Sequence, residues 1–155
     1  MDKASILVAA AALACAACGH GRNLTEIRAS DAASAALSRG DYAQAVDAAN
    51  EAIKLEPGDP WPYYDRGCAL GDLKRTDEAI ASFQQAEARF SDRWARSVSV
   101  WGRARAYAIA GKCSDAQRTF KEYADSVRVS DPSSAEVATK VAAACTPAAS
   151  AKPAK

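Results

Sequence analysis

The sequence predicts an all-α protein, and three observations carry that prediction. Alanine dominates the chain, while glycine (8 residues) and proline (6) are few and sit at punctuation points; this composition favours helices and leaves almost no alternating β-branched runs. Small and apolar residues recur at three-to-four spacing in Tyr42, Ala45, Val46, Ala49 and Ile53, in Thr76, Ala79, Ile80 and Phe83, and in Cys113, Ala116, Phe120, Tyr123 and Val127. Each run lays one apolar stripe along a helix. The stretch from Gly40 to Pro57 also returns: Gly40-Asp41-Tyr42, Ala45, Ala52 and Pro57 align, 34 residues on, with Lys74-Arg75-Thr76, Ala79, Ala86 and Ser91. That is the period of a stacked helix–turn–helix unit.

The 155 residues suffice for one small domain plus ends. Twenty Lys and Arg against nineteen Asp and Glu leave a net charge of +1, so no field for nucleic acid or another polyanion is expected. The chain opens with Lys3, an uncharged run Ile6–Ala14, small residues, and Cys15-Ala16-Ala17-Cys18. Residues 1–17 read as a secretory leader, because the apolar run is shorter than the roughly 20 residues a permanent span needs. Small residues before a cysteine resemble a bacterial lipobox. That resemblance makes Cys18 the lipidated mature N-terminus, with Cys15 as the alternative, and puts the protein in the cell envelope on the periplasmic side, anchored to the outer membrane. Simple cleavage would instead release it, soluble in the periplasm or secreted. A haem or dithiol site is not expected around Cys15, Cys18 and His20, because Gly19 separates the CxxC from the histidine and no βαβ frame is present.

After a short linker over 18–23, the pattern predicts helices at about 24–38, 41–54, 60–73, 76–89, 92–110, 114–128 and 132–145. Asp59 before Pro60 signals a helix start, Asp77-Glu78 favour the positive end of the fourth helix, and Ser114 to Gln117 and Ser133 to Glu136 have capping-box spacing. A third copy of the unit carries Ala104, Tyr107, Gly111, Ala116, Phe120 and Tyr123, with Ala116 falling 37 residues after Ala79. The three inserted residues fit best at Arg93–Arg96, lengthening that helix by almost a turn. The last helix, 131–145, has no partner after it and reads as a cap over the exposed end of a stack. The proline-broken tail 146–155 is expected to be disordered.

On these residues the chain resembles the tetratricopeptide-repeat family, with Ala33, Gly40, Tyr42, Ala45, Ala52 and Pro57 in one copy. A second copy has Tyr63, Gly67, Leu70, Ala79, Phe83 and Ala86. The resemblance implies a right-handed α-solenoid of helical hairpins over residues 24–145, with repeats at about 26–59, 60–93 and 97–130 plus the cap. It also implies a non-catalytic adaptor or scaffold, in which the first helix of each hairpin lines a concave surface that binds a peptide or helix of a partner. Mapped here, that surface presents Trp61, Tyr64 and Asp72, then Trp101 and Arg105. Aromatic side chains offer large contact area with few rotors, and Arg105 would anchor a carboxylate or a carbonyl. The family's terminal-carboxylate clamp of Lys and Asn is replaced by Ser30, Ser34, Tyr64 and Cys68, so that specificity is not implied. The expected partner is a protein of the envelope, with membrane contact through the N-terminal lipid.

Cys113 opens one predicted helix and Cys145 ends the next; antiparallel packing at similar lengths brings them together, predicting a disulfide in an oxidising compartment, the alternative being two buried thiols. Cys68 is left unpaired. The lone histidine lies in the linker, so no histidine-based nucleophile–base pair can be assembled, and no metal-ligand spacing, phosphate loop or dinucleotide fingerprint occurs. No catalytic residue, metal or cofactor is therefore expected. Asp65 and Asp72, two turns apart, read as solvent-facing charges. Two rival readings are a structural subunit stacking end to end with its own copies, and a hydrolytic or ligand-binding protein with a polar pocket around Asp65, Asp72 and Arg105.

Overall fold

The computed structural model describes residues 27–145. The leader, its candidate lipidation residues Cys18 and Cys15, the linker and the tail 146–155 lie outside the described residues. Among the described residues seven helices follow one another: α1 (Ile27–Arg39), α2 (Tyr42–Leu55), α3 (Pro60–Asp72), α4 (Thr76–Arg89), α5 (Arg93–Ile109), α6 (Cys113–Val127) and α7 (Pro132–Ala144). Each packs on the next, and the first helices of successive hairpins also touch, α1 with α3 and α3 with α5. This is an all-α helical repeat array. At 17 residues α5 is four longer than α3, consistent with the extra residues near its start.

The hairpin turns are built three times over by one device. At the end of α1 the Asp41 N–H donates to the Ala36 carbonyl (2.9 Å) and the Gly40 N–H to that of Leu37 (3.0 Å), with Gly40 at φ +78°. Arg75 to Leu70 and Lys74 to Gly71 repeat the pair after α3, and Lys112 to Tyr107 and Gly111 to Ala108 repeat it after α5. This double bond closes a helix end on a left-handed residue, for which glycine is suited. Gly111 complies at φ +71°, but the second turn places Lys74 there at φ +62°. A side chain in that region costs about 1–2 kcal/mol. Lys74→Gly is therefore expected to stabilise the protein by about 1 kcal/mol and to raise its melting temperature by roughly 3–6 °C; a scanning-calorimetry midpoint that stays put or falls would count against it.

Helix starts depart from the sequence expectation at two places. The cap of α6 is Lys112, with no side-chain hydrogen bond, so Ser114 does not close a capping box. The chain enters α6 directly from the Gly111 turn, and the helix is already under way at Cys113. The cap of α7 is Asp131, not Ser133: its carboxylate accepts from the Ser134 N–H at 3.0 Å and from the hydroxyls of Ser133 and Ser134, and those bonds hold its pKa down to about 2. Pro132, which has no N–H to satisfy, follows it as the first helical residue.

Which ends share an edge is settled by contacts between distant loops. The Arg89 Nε at the end of α4 donates to the Pro57 carbonyl at 2.8 Å, placing the α2–α3 junction beside the α4–α5 junction. At the other edge Lys112 Nζ pairs with Asp77 at 2.6 Å, and a disulfide joins Cys113 to Cys145 with their Cα atoms 5.4 Å apart. The predicted pairing is therefore present, and Gln117 Nε2 adds a bond to the Cys145 carbonyl at 2.9 Å. One core gathers Tyr63, Tyr64, Phe83 and Phe90 around alanines of α1 to α5, and a second centres on Phe120 with Ala124, Val127, Ala135 and Ala138.

Candidate functional site

The inner helices α3 and α5 come together over Phe83. A Cβ on Gly67 would stand 2.8 Å from the Phe83 ring, and one on Gly102 only 2.5 Å from it. Both glycines are therefore required for close approach of α3, α4 and α5. Gly71, one turn after Gly67, is different: a Cβ there would meet nothing within 4 Å. The result is a slot of about 20 Å³ lined by Gly67, Cys68, Gly71 and Asp72 of α3, Phe83 of α4, and Gly102, Arg105, Ala106 and Ile109 of α5. A space of that size holds about one water, far less than the several hundred Å³ of a small-molecule site.

Arg105 and Asp72 give the slot its chemistry. Burial pushes the Arg105 guanidinium below its ordinary range, and Asp72 works against that shift. Burial likewise raises the Asp72 carboxyl, with Arg105 and Lys74 pulling it back. The two attract without bonding directly, since among the described residues Arg105 takes part in no hydrogen bond or ion pair at contact distance. Its five donors face a partly desolvated wall.

The aromatic residues expected on this surface have other neighbours. Tyr64 is 3% exposed and packs edge-on against Phe83, ring centroids 5.8 Å apart. Trp61 is half-buried, 4.8 Å from Phe90 and 6.0 Å from Tyr64, and Trp101 lies 5.1 Å from both Phe120 and Tyr123. The structure thus brings Asp72 and Arg105 together in the slot, whereas Trp61, Tyr64 and Trp101 are not among its lining residues and pack against Phe90, Phe83 and Phe120. Cys68 corrects the expectation of a free thiol, since it is disulfide-bonded. Asp65 corrects the expectation of a solvent-facing charge: it is 3% exposed and accepts from the Ser34 hydroxyl at 2.8 Å, tying α1 to α3. It is not among the residues lining the slot.

Two arginines escaped the sequence reading. Arg66 on α3 bonds Asn50 of α2 at 3.1 Å and Ser82 and Gln85 of α4 at 3.0 and 2.8 Å. Arg103 on α5 bonds Glu87 of α4 at 2.8 Å and Glu122 of α6 at 3.1 Å. Arg66, Asn50 and Gln85 each precede their counterparts Arg103, Glu87 and Glu122 by 37 residues, a recurrence that was available to find them. In the second tie burial works against the charge on Arg103, but Glu87 and Glu122 outweigh it and hold the guanidinium above its usual range. Burial raises the Glu87 carboxyl, with Arg103 opposing the shift. These ties lock one hairpin to the next and are structural in character.

Two family models, each described as a tetratricopeptide repeat, match the chain, one over residues 31–59 and the other over 48–81. No curated protein and no solved structure shows a significant match.

Proposed function

The chain is a tetratricopeptide-repeat protein, and from that premise we propose that it is a non-catalytic adaptor that grips a segment of an envelope protein at the Gly71–Arg105 slot. Repeats of this family are protein–protein interaction modules in general; the slot, the compartment and the anchor are the finer reading. Gly71 is the observation that carries the slot. A glycine inside a helix costs about 0.5–1 kcal/mol relative to alanine, and among the described residues no atom lies within 4 Å of the place its missing side chain would take. A partner's main chain or small side chain at that point would use it. Arg105 would then donate to a partner carbonyl or carboxylate, with Asp72 at the rim accepting an N–H. Trp61, Tyr64 and Trp101 do not line the slot and contribute to this reading by holding the inner helices in place through ring packing.

The envelope assignment draws support from the Cys113–Cys145 disulfide, because such bonds persist in oxidising compartments. A lipid on Cys18 after removal of residues 1–17 would leave no cysteine for the Cys68 disulfide, since Cys113 and Cys145 bond each other; in this reading the lipid that holds the protein on the periplasmic face of the outer membrane therefore sits on Cys15, the alternative.

Gly71→Leu and Arg105→Gln test the slot without touching the core. In crosslinked capture from envelope extracts, each is expected to lower recovery of the protein's main partner at least tenfold, with helicity unchanged. Equal recovery by the wild type and both variants would refute the slot.

A further inference from the structure

We infer that residues 18–26 are a built-in occupant of the inner face, a strap fastened to α3 by a Cys18–Cys68 disulfide, with His20 and Arg22 laid against Asp65. The cysteine count carries the fastening. The chain has five cysteines, Cys113 and Cys145 bond each other, and Cys68 is disulfide-bonded, so its partner within the chain is Cys15 or Cys18. The choice of Cys18 rests on the anchor reading above, in which the lipid takes up Cys15. Closing the bond removes two electrons and two protons from the two thiols; they pass to a disulfide donor of the oxidising compartment, which leaves as a dithiol.

Burial along α3 marks where the strap lies. From Pro62 to Leu70 every residue of this helix is buried except Arg66, which is half-buried. Helices α2 and α4 pack on it from the outer layer and α1 and α5 flank it, which leaves its inner side to be covered by something else. A comparison with α5 isolates the difference. Tyr64 and Cys68 are 3% and 6% exposed, whereas Trp101 and Arg105, 37 residues on at the same positions of the repeat, are half-buried. The cover ends one turn beyond Cys68, where Gly71 is half-buried and Asp72 exposed.

Length and charge both fit. Helices α1 and α3 run the same way, and Cys68 lies eight residues past the start of α3, about 12 Å along its axis. With the two inner helices about 10 Å apart, Ile27 and Cys68 are separated by roughly 15 Å. Cys18 is nine residues before Ile27 and reaches at most about 30 Å, so the strap turns back at the start of α1 and runs between α1 and α3. Asp65 stands one turn before Cys68, buried and bonded to Ser34 of α1, so it faces that path. A carboxylate buried to this degree is held by a cation as well as by hydrogen bonds, and Asp65 takes part in an interaction besides the Ser34 bond. His20 and Arg22 are the basic residues that the strap carries past it.

The strap also narrows the partner. It fills the inner face up to Cys68 and stops short of Gly71, so a segment gripped at the slot meets the end of this chain's own strap. With the lipid on Cys15, three residues before Cys18, the slot is kept within about 10 Å of chain from the anchor. The segment it takes is therefore one that lies close to the bilayer in a membrane-bound envelope protein.

The test uses the full chain, purified from membranes without reductant, its free thiols blocked, and digested with trypsin. Mass spectrometry is expected to find the peptide 67–74 joined through Cys18 to the peptide ending at Arg22, and intact mass reports lipid. Amide exchange on the undigested protein then tests the cover. Exchange over residues 19–26 is expected to be at least tenfold slower in the wild type than in Cys68→Ala, and to quicken severalfold in the double variant His20→Gln, Arg22→Gln, which keeps the bond. A blocked thiol at Cys68, or its bond on Cys15, overturns the fastening. Exchange that is equally fast in the wild type and Cys68→Ala overturns the strap even with the bond in place, and a double variant that matches the wild type overturns the contact with Asp65. A Cys18–Cys68 bond on a chain without lipid supports the strap and removes the anchor.

Discussion

Phe83→Ala is expected to cost the fold about 3–5 kcal/mol, the range for truncating a buried aromatic. The ring is 3% exposed and stands against the bare backbones of Gly67 and Gly102, with Tyr64 edge-on beside it. Alanine there would leave two glycines facing a void that neither can fill, so relaxation can recover little. Native domains keep only about 5–15 kcal/mol in total, which makes this a large share. Urea titration should show a lower midpoint at unchanged slope. The pairing also fixes the sign of a second measurement: Gly102→Ala alone overpacks the ring and destabilises, but in the Phe83→Ala background it refills part of the void and should recover stability. A loss below about 1 kcal/mol for Phe83→Ala, or additive costs for the two substitutions, would contradict the described packing. Because Phe83 also lines the slot, its truncation should weaken partner binding even where the protein remains folded.

How far such features can be read from sequence depends on whether they are local. The left-handed turns were legible because Gly40 and Gly111 sit in a repeating frame, and the same frame put Lys74 in the place of a glycine. The disulfide was legible because two successive helices of nearly equal length must bring the start of one beside the end of the other. Asp65 was not legible, since its burial depends on Ser34, 31 residues upstream on another helix. Nor did periodicity decide where Trp61 and Trp101 point: an inner helix is flanked by its own partner and by the neighbouring hairpins, so aromatics on several of its faces find packing. Arg105 and Asp72 were visible as charges at helical spacing. Their meeting required the actual approach of α3 to α5, which is set by Gly67 and Gly102 against one phenylalanine. Gly71 is legible in the sequence as a residue of the inner face, but that the described residues leave space beside it shows only in the packing.

Cutting the Cys113–Cys145 bridge is expected to release α7 while α1 to α6 stay folded. The adhesion of this helix is unusually dependent on the bridge. Its buried side chains are Ala135 and Ala138, Val141 and Ala142 are only partly covered, and Val137 is half exposed. The Asp131 cap is local to the first turn of α7, and the polar ties to α6 are the Gln117 bond to the Cys145 carbonyl at one end and the Tyr123–Ser134 contact at the other. Bridging residues separated by 32 positions is worth about 3–4 kcal/mol in the chain-entropy model. Spent on one helix of small residues, that is enough to decide whether it stays docked. In Cys145→Ser, amide hydrogen exchange over residues 132–144 should therefore accelerate by about two to three orders of magnitude. Amides of α3 and α4, which belong to the other core, should change little. The acceleration should reach into α6 as well, because Phe120, Ala124 and Val127 lose the cover that keeps that face dry. Equal protection of α7 with and without the bridge would mean that its alanine face alone holds it, and the staple would be redundant.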